Sequence, residues 1–142
     1  MIRLRLADFA GEWQIDRQII DMMGQSEGTF QGTAAISASD DGMYYLEQGV
    51  LRMGNSALSA TRSYVWRDAE HGISVFFDDG RPFHDIRLVG ETAAAAHFCD
   101  PDQYDVSYDF SDWPVWTANW RVRGPRKDYV MRSIYRRPAV GL

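Results

Sequence analysis

The sequence predicts an all-β fold, a single closed antiparallel meander barrel of about ten strands with a short N-terminal helical turn. Three observations carry this. Turn signals recur every 8 to 15 residues or so, Asp41-Gly42, Gly54-Asn55, Asp79-Gly80 and Gly124-Pro125 being the clearest. The segments between them hold many Thr, Val, Ile and Tyr residues, and aromatics make up 13% of the chain; such side chains fit a pleated, half-buried surface. No segment keeps a long helical period of apolar residues.

Taken in order, residues 5–10 read as a helical turn that plugs one end of the barrel. The strands fall near 11–22, 28–38, 43–53, 57–67, 73–78, 82–89, 92–99, 103–111, 114–123 and 127–137. No linker, charge block or low-complexity run interrupts them, and 142 residues form one domain, 1–142, able to bury a core without disulfides or metal. Tight turns between so many strands let the sheet close on itself and leave no free edge.

Register follows from loop length, because residues paired across an antiparallel hairpin share a face. A two-residue loop at Gly54-Asn55 pairs Glu47 with Arg62, Tyr45 with Tyr64 and Gly49 with Ala60. A loop at Asp41-Gly42 pairs Ile36 with Glu47 and Ala34 with Gly49. A loop at Asp79-Gly80 pairs Val75 with His84 and Phe77 with Pro82, and one at Gly90-Glu91 pairs His84 with His97. Chained together, these pairings give an inner face that begins Trp13, Ile15, Arg17, Ile19 and continues through Phe30, Tyr45, Glu47, Arg62, Tyr64, Trp66, Phe77, His84, His97 and Cys99. Tyr104, Tyr108, Trp116, Trp120, Tyr129, Met131 and Tyr135 extend it along the later strands. Gly32, Ala34, Gly49 and Ala60 cluster on strands two to four of that face, where a packed centre calls for bulk, and their smallness implies space.

Composition narrows the function. A net charge of −5 disfavours general nucleic-acid binding, which needs a basic surface. The basic run Arg121, Arg123, Arg126, Lys127, Arg132, Arg136 and Arg137 reads as solvated strand faces and an exposed turn. No stretch approaches the roughly 20 apolar residues that span a bilayer. Met1 to Phe9 lacks a continuous apolar segment, so it does not read as a signal peptide. The one cysteine, Cys99, cannot form an internal disulfide and reads as a buried thiol in a reducing compartment. Together these place the protein in the cytoplasm, as a monomer or homodimer with no nucleic-acid or membrane partner.

Phe9-Ala-Gly11-Glu-Trp13 resembles the F-x-G-x-W opening of the calycin superfamily, the lipocalin-like barrels. In that group the Trp closes the barrel floor and an Arg from a late strand packs over it, a role that falls here to Arg137 or Arg136. The wider pattern is similar to an uncharacterised bacterial family of lipocalin-like domains. It is carried by Gly11-x-Trp13-x-Ile15-x-Arg17, Asp79-Gly80-Arg81-x-Phe83-His84, His97-x-Cys99-x-x-Asp102-x-Tyr104 and Trp120 to Tyr129. The resemblance implies a cup-shaped cavity and no particular reaction. Nitrobindin, a ten-stranded haem barrel, also opens with a G-x-W-type strand, but its haem-holding histidine lies near the C-terminal end and no histidine follows His97 here. Neither haem nor another cofactor is expected.

The polar residues of the inner face are the candidate site. Charge facing a barrel interior is costly unless paired or hydrated. Two arginines, Arg17 and Arg62, against one Glu47 leave one positive charge for a carboxylate or phosphate. The candidate ligand-binding set is Arg17, Glu47, Arg62, Tyr64, His84, His97, Tyr104 and Trp120. His84 and His97 are the candidate general bases should the cavity catalyse an isomerase- or lyase-type reaction. His84, His97, Cys99 and Asp102 lack strong metal-ligand spacing, so no metal site is expected. The leading expectation is a binding protein for a small, partly apolar, anionic molecule; the alternatives are an enzyme in the same cavity and a filled barrel that acts through its surface.

Overall fold

Alternating apolar and polar residues build ten antiparallel strands in the computed structural model, which describes residues 3–139. The two residues before that span and the three after it, which belong to the domain expected over 1–142, lie outside the described residues. A short 3-10 turn at Leu6–Phe9 precedes β1 (Gly11–Asp21), β2 (Ser26–Ser39), β3 (Gly42–Met53), β4 (Ser56–Ala69) and β5 (Gly72–Phe77). Then follow β6 (Pro82–Arg87), β7 (Thr92–Cys99), β8 (Asp102–Asp109), β9 (Trp116–Gly124) and β10 (Lys127–Arg136). One sheet runs β6-β5-β4-β3-β2-β1-β10-β9-β8-β7 and curls until its end strands face each other.

The 3-10 turn plugs the floor as expected. Phe9 is fully buried, with ring centroids of Trp66, Trp113, Trp116 and Phe110 4.9–5.8 Å away. Trp13 is equally buried, and its Nε1 donates to the Phe9 carbonyl at 2.8 Å. Arg137 supplies the arginine over the Trp, with its guanidinium carbon 3.7 Å from the ring centroid. Its Nη atoms donate to the carbonyls of Glu12, Asp8 and Ala10 at 2.9–3.2 Å, tying the chain's end to its beginning. Arg136 instead sits on the outer face, 3.6 Å from Asp16. Arg121–Asp128 at 3.1 Å and Arg123–Asp105 at 3.3 Å are likewise partly exposed outer pairs, as the solvated-face reading of the basic run requires.

The Gly54-Asn55 turn sets the expected register, with Glu47 opposite Arg62, Tyr45 opposite Tyr64 and Gly49 opposite Ala60. The neighbouring hairpin is shifted by two residues. Its turn is Asp40-Asp41, so Ile36 faces Tyr45 and Ala34 faces Glu47. Gly42 belongs to the ladder: its φ is +138°, and a Cβ there would run into the Trp66 carbonyl. A two-residue shift preserves which face each side chain takes. Val75 pairs with His84 as expected, but a bulge between Val75 and Phe76 sets Phe76 against Pro82 in place of Phe77. Pro82 has no N–H to offer, and the Phe77 N–H donates to the Arg81 carbonyl at 2.9 Å.

Closure departs further from expectation. Strands β6 and β7 lie side by side but share no ladder, so His84 and His97 are not a backbone pair. Aromatic side chains fill the seam. The Phe83 ring from β6 meets His97 at 5.3 Å and Tyr104 at 6.0 Å, and His84 Nε2 lies 2.8 Å from Tyr108 Oη. Gly32 and Gly49 also have a different cause from the one expected. They face each other across β2 and β3, where a Cβ on either would collide with the opposing backbone, and the Phe30 ring covers Gly49. The smallness permits close approach of two coiled strands and leaves no void. Gly49→Ala should therefore cost more than about 2 kcal/mol in urea unfolding, while Gly90→Ala, with open space at its Cβ, should stay within about 0.5 kcal/mol. Equal effects would contradict this packing.

Candidate functional site

Above the aromatic floor the barrel encloses a cavity of about 270 Å³. Arg17, Glu47, Arg62, Tyr64, His84, Tyr104 and Trp120 all line it. His97 does not; it is half-buried on β7, against the rings of Phe77 and Phe83. Cys99, expected buried, is exposed at the end of β7, the last residue before the turn into β8, where it pairs with Asp102.

The charges inside separate into two groups. Arg17 on β1 and Glu47 on β3 form a bidentate pair: Nη1 donates to Oε2 at 2.8 Å and Nη2 to Oε1 at 2.9 Å. Their side chains are only 10% and 6% exposed, so each charge depends on the other for solvation. The shell around them is polar. Arg17 Nε donates to Ser133 Oγ at 2.7 Å, and Nη2 reaches Tyr135 Oη at 3.4 Å. Tyr45 Oη donates to Glu47 Oε1 at 2.7 Å and lies 2.9 Å from Tyr135 Oη. Burial works against the Glu47 carboxylate, but hydrogen bonds from Arg17 and Tyr45 together with the arginine charge outweigh it and hold Glu47 below its ordinary range. Burial raises the Tyr45 and Tyr108 hydroxyls well above theirs and pushes Tyr135 up to about 12, so these tyrosines stay neutral.

Arg62 is different. It stands opposite Glu47 on β4, yet its guanidinium forms no ion pair among the described residues; Glu47 is committed to Arg17 and Tyr45, and the hydroxyl of Tyr64 is the hydrogen-bonding neighbour of Arg62. Its side chain is exposed toward the mouth. Tyr64 and Tyr129, the hydroxyls that feel its charge, are both raised by burial, with Arg62 acting in the opposite direction.

His84 supplies a neutral polar point on the seam side. Burial lowers it to about 4. Its Nε2 engages Tyr108, while Nδ1 is buried without a partner among the described residues, as is Nε1 of Trp116 in the same cavity wall. Aromatic planes make up most of the remaining lining. Phe77 and Phe83 stack at 4.5 Å, Phe83 and Trp120 at 5.3 Å, Tyr45 and Trp66 at 5.3 Å, and Trp116 and Tyr135 at 3.8 Å.

Sequence reasoning did not single out Ser133, and it met Phe83 within the Asp79–His84 motif but not as an inner-face residue. Ser133 lies directly opposite Arg17 in the β1–β10 register, and the alternation Tyr129, Met131, Ser133, Tyr135 carries that signal. Phe83 turns inward beside His84 at a bulged edge strand, which strict alternation cannot give.

Two predictions follow from the buried charges. Glu47→Gln removes the partner of Arg17 and should destabilise the fold by about 3–5 kcal/mol, whereas Arg62→Gln should change stability by less than about 1 kcal/mol. Comparable losses in chemical unfolding would show that Arg62 shares the pair. The second concerns His84, whose folded value of about 4 lies below its ordinary 6.5, so the unfolded chain takes up the proton first. Its contribution is complete above pH 6.5 and is lost as pH falls toward 4, on the order of 3 kcal/mol. His84→Phe should flatten the pH dependence of unfolding free energy over that window; an unchanged slope would refute the assignment.

Residues 9–137 match a family described as a family of unknown function, DUF6314. No curated protein matches. Among solved structures, an S-type phycobiliprotein lyase from Guillardia theta shares the fold with a TM-score of 0.60 at 12% identity, over 95% of this chain and 92% of that one. A protein of unknown function from the DUF3598 family of Nostoc punctiforme PCC 73102 gives a TM-score of 0.51 at 14% identity, over 95% of this chain but only 49% of its own length. At such identities the likeness is one of fold.

Proposed function

The chain belongs to the DUF6314 family, and we propose that its barrel binds a small, partly apolar, anionic molecule in the internal cavity. One observation carries the reading: a guanidinium with no carboxylate partner among the described residues, Arg62, lines a space walled by aromatic rings. An arginine without a counterion at a cavity mouth is available for the bidentate recognition of a carboxylate or phosphate. Arg62 meets the anion. Tyr64, Tyr104 and His84 add polar contacts, and Trp120 contributes wall. Arg17 and Glu47 hold the wall's geometry, and His97 acts indirectly by backing Phe83. The same barrel fold in the Guillardia theta lyase fits a calycin-like cup. We read the protein as cytoplasmic, a monomer or homodimer built as one domain; among the described residues no helix is long and apolar enough to cross a membrane.

The enzymatic alternative would use His84 as a general base. A ring pushed down to about 4 by burial gives little driving force for proton abstraction at neutral pH, so binding is the better-supported reading.

Anilinonaphthalene sulfonate, an apolar anion, tests this. It should bind with one-to-one stoichiometry and bright, blue-shifted fluorescence, and Arg62→Gln should weaken it at least tenfold. Native mass spectrometry of freshly purified protein should show a retained non-covalent adduct. A folded protein that neither binds the dye nor carries an adduct would overturn the proposal.

A further inference from the structure

The cavity's charge count and wall geometry narrow the ligand's class, and this step rests on the binding reading above. Among the lining residues the ionised groups are Arg17, Glu47 and Arg62, and the first two cancel within hydrogen-bonding distance. His84 is neutral at pH 7 because burial depresses it. The cavity therefore carries one net positive charge, located on Arg62. In a low-dielectric cavity a ligand is held best when it leaves no uncompensated charge behind. A monoanion meets that condition. A phosphate monoester, carrying about −1.5 to −2 at neutral pH, would bring up to a full extra negative charge in beside Glu47.

Shape gives the second constraint. Phe83 centres one wall: its plane is inclined by 28° to Tyr64, 18° to Phe77 and 20° to Trp120, while Tyr64 and Phe77 are tilted by 45° to each other. These rings already stack on Phe83 at 4.5–5.8 Å, and a planar π-system is the shape that extends such a stack. The space of about 270 Å³ falls just below the roughly 300–1,000 Å³ of drug-sized sites, which limits the enclosed part to about one or two fused rings.

We propose that the ligand is a planar, one- or two-ring aromatic monocarboxylate, its acid on Arg62 at the mouth and its rings laid along the Phe83–Trp120 wall toward His84. Charge selects the monoanion, and the aligned rings select flatness.

Isothermal titration with four matched probes at pH 7.5 tests this: 2-naphthoate, neutral 2-naphthol, 2-naphthyl phosphate, and decalin-2-carboxylate, which keeps the acid and the size but loses the flatness. 2-Naphthoate should bind at least tenfold tighter than the naphthol or the phosphate and at least fivefold tighter than the decalin acid. In Arg62→Gln, 2-naphthoate should fall to the level of 2-naphthol, while 2-naphthol itself changes less than twofold. Arg62→Lys should recover part of the difference. Phosphate binding as tightly as carboxylate would overturn the charge count, and equal binding of the decalin acid would overturn the flat slot. If anilinonaphthalene sulfonate binds but no naphthalene probe does, the ligand class is wrong and the binding reading stands. If neither the dye nor any probe binds, the binding reading itself fails.

Discussion

Arg17 cannot exist inside this barrel without Glu47. A guanidinium 10% exposed has lost most of its water, and the carboxylate opposite, with Ser133 and Tyr135, replaces it. The pair links β1 to β3 through side chains while β2 links them through backbone, and Ser133 and Tyr135 extend the network to β10. Three strands, β1, β3 and β10, are thus held in one register by a single polar cluster. The aromatic floor lies beneath it and the open cavity above. A shift of one residue in any of those strands would strand a charge in apolar surroundings, which specifies register more sharply than apolar packing alone.

The same pair decides what the cavity can do. Because Glu47 is saturated by Arg17 and Tyr45, it has little left for the arginine across from it in the β3–β4 ladder. Arg62 keeps its charge without an internal counterion, at a place open to the mouth. On the opposite side, burial keeps His84 neutral, and its bond to Tyr108 spans the seam where backbone pairing fails. One end of the space is therefore cationic and the other neutral and aromatic. That asymmetry arises from structural needs, a paired floor and a zipped seam, and it also gives an entering molecule a preferred direction.

Much of this was legible in the sequence. Alternation is a local property, and tight turns fix its phase, so all ten strands and nearly the whole inner face could be read from turn chemistry. The Glu47–Arg62 register came through for that reason, while an arginine over Trp13 was implied by the calycin resemblance, which left Arg136 and Arg137 open. What stayed hidden was non-local. Sequence parity said that Arg17, Glu47 and Arg62 share a face, but not which arginine would take the carboxylate. That choice depends on Ser133 and Tyr135, more than a hundred residues from Arg17. The unpaired seam, the bulge that turns Phe83 inward and the exposure of Cys99 depend on how far the sheet curls, which no single hairpin encodes. Gly32 and Gly49 show the remaining ambiguity, since small residues on an inner face mark a void or a close backbone approach, and only the packing tells them apart.

The division of labour between the two arginines can be observed one side chain at a time. In ¹⁵N-arginine side-chain spectra the Nε–H of Arg17 should exchange slowly with solvent, because it is bonded to Ser133, while that of Arg62 should exchange fast. Saturating the cavity with 2-naphthoate should slow and shift the Arg62 signal and leave Arg17 in place. A ligand that moved Arg17 and left Arg62 exchanging freely would contradict the assignment of charge on which the site is built.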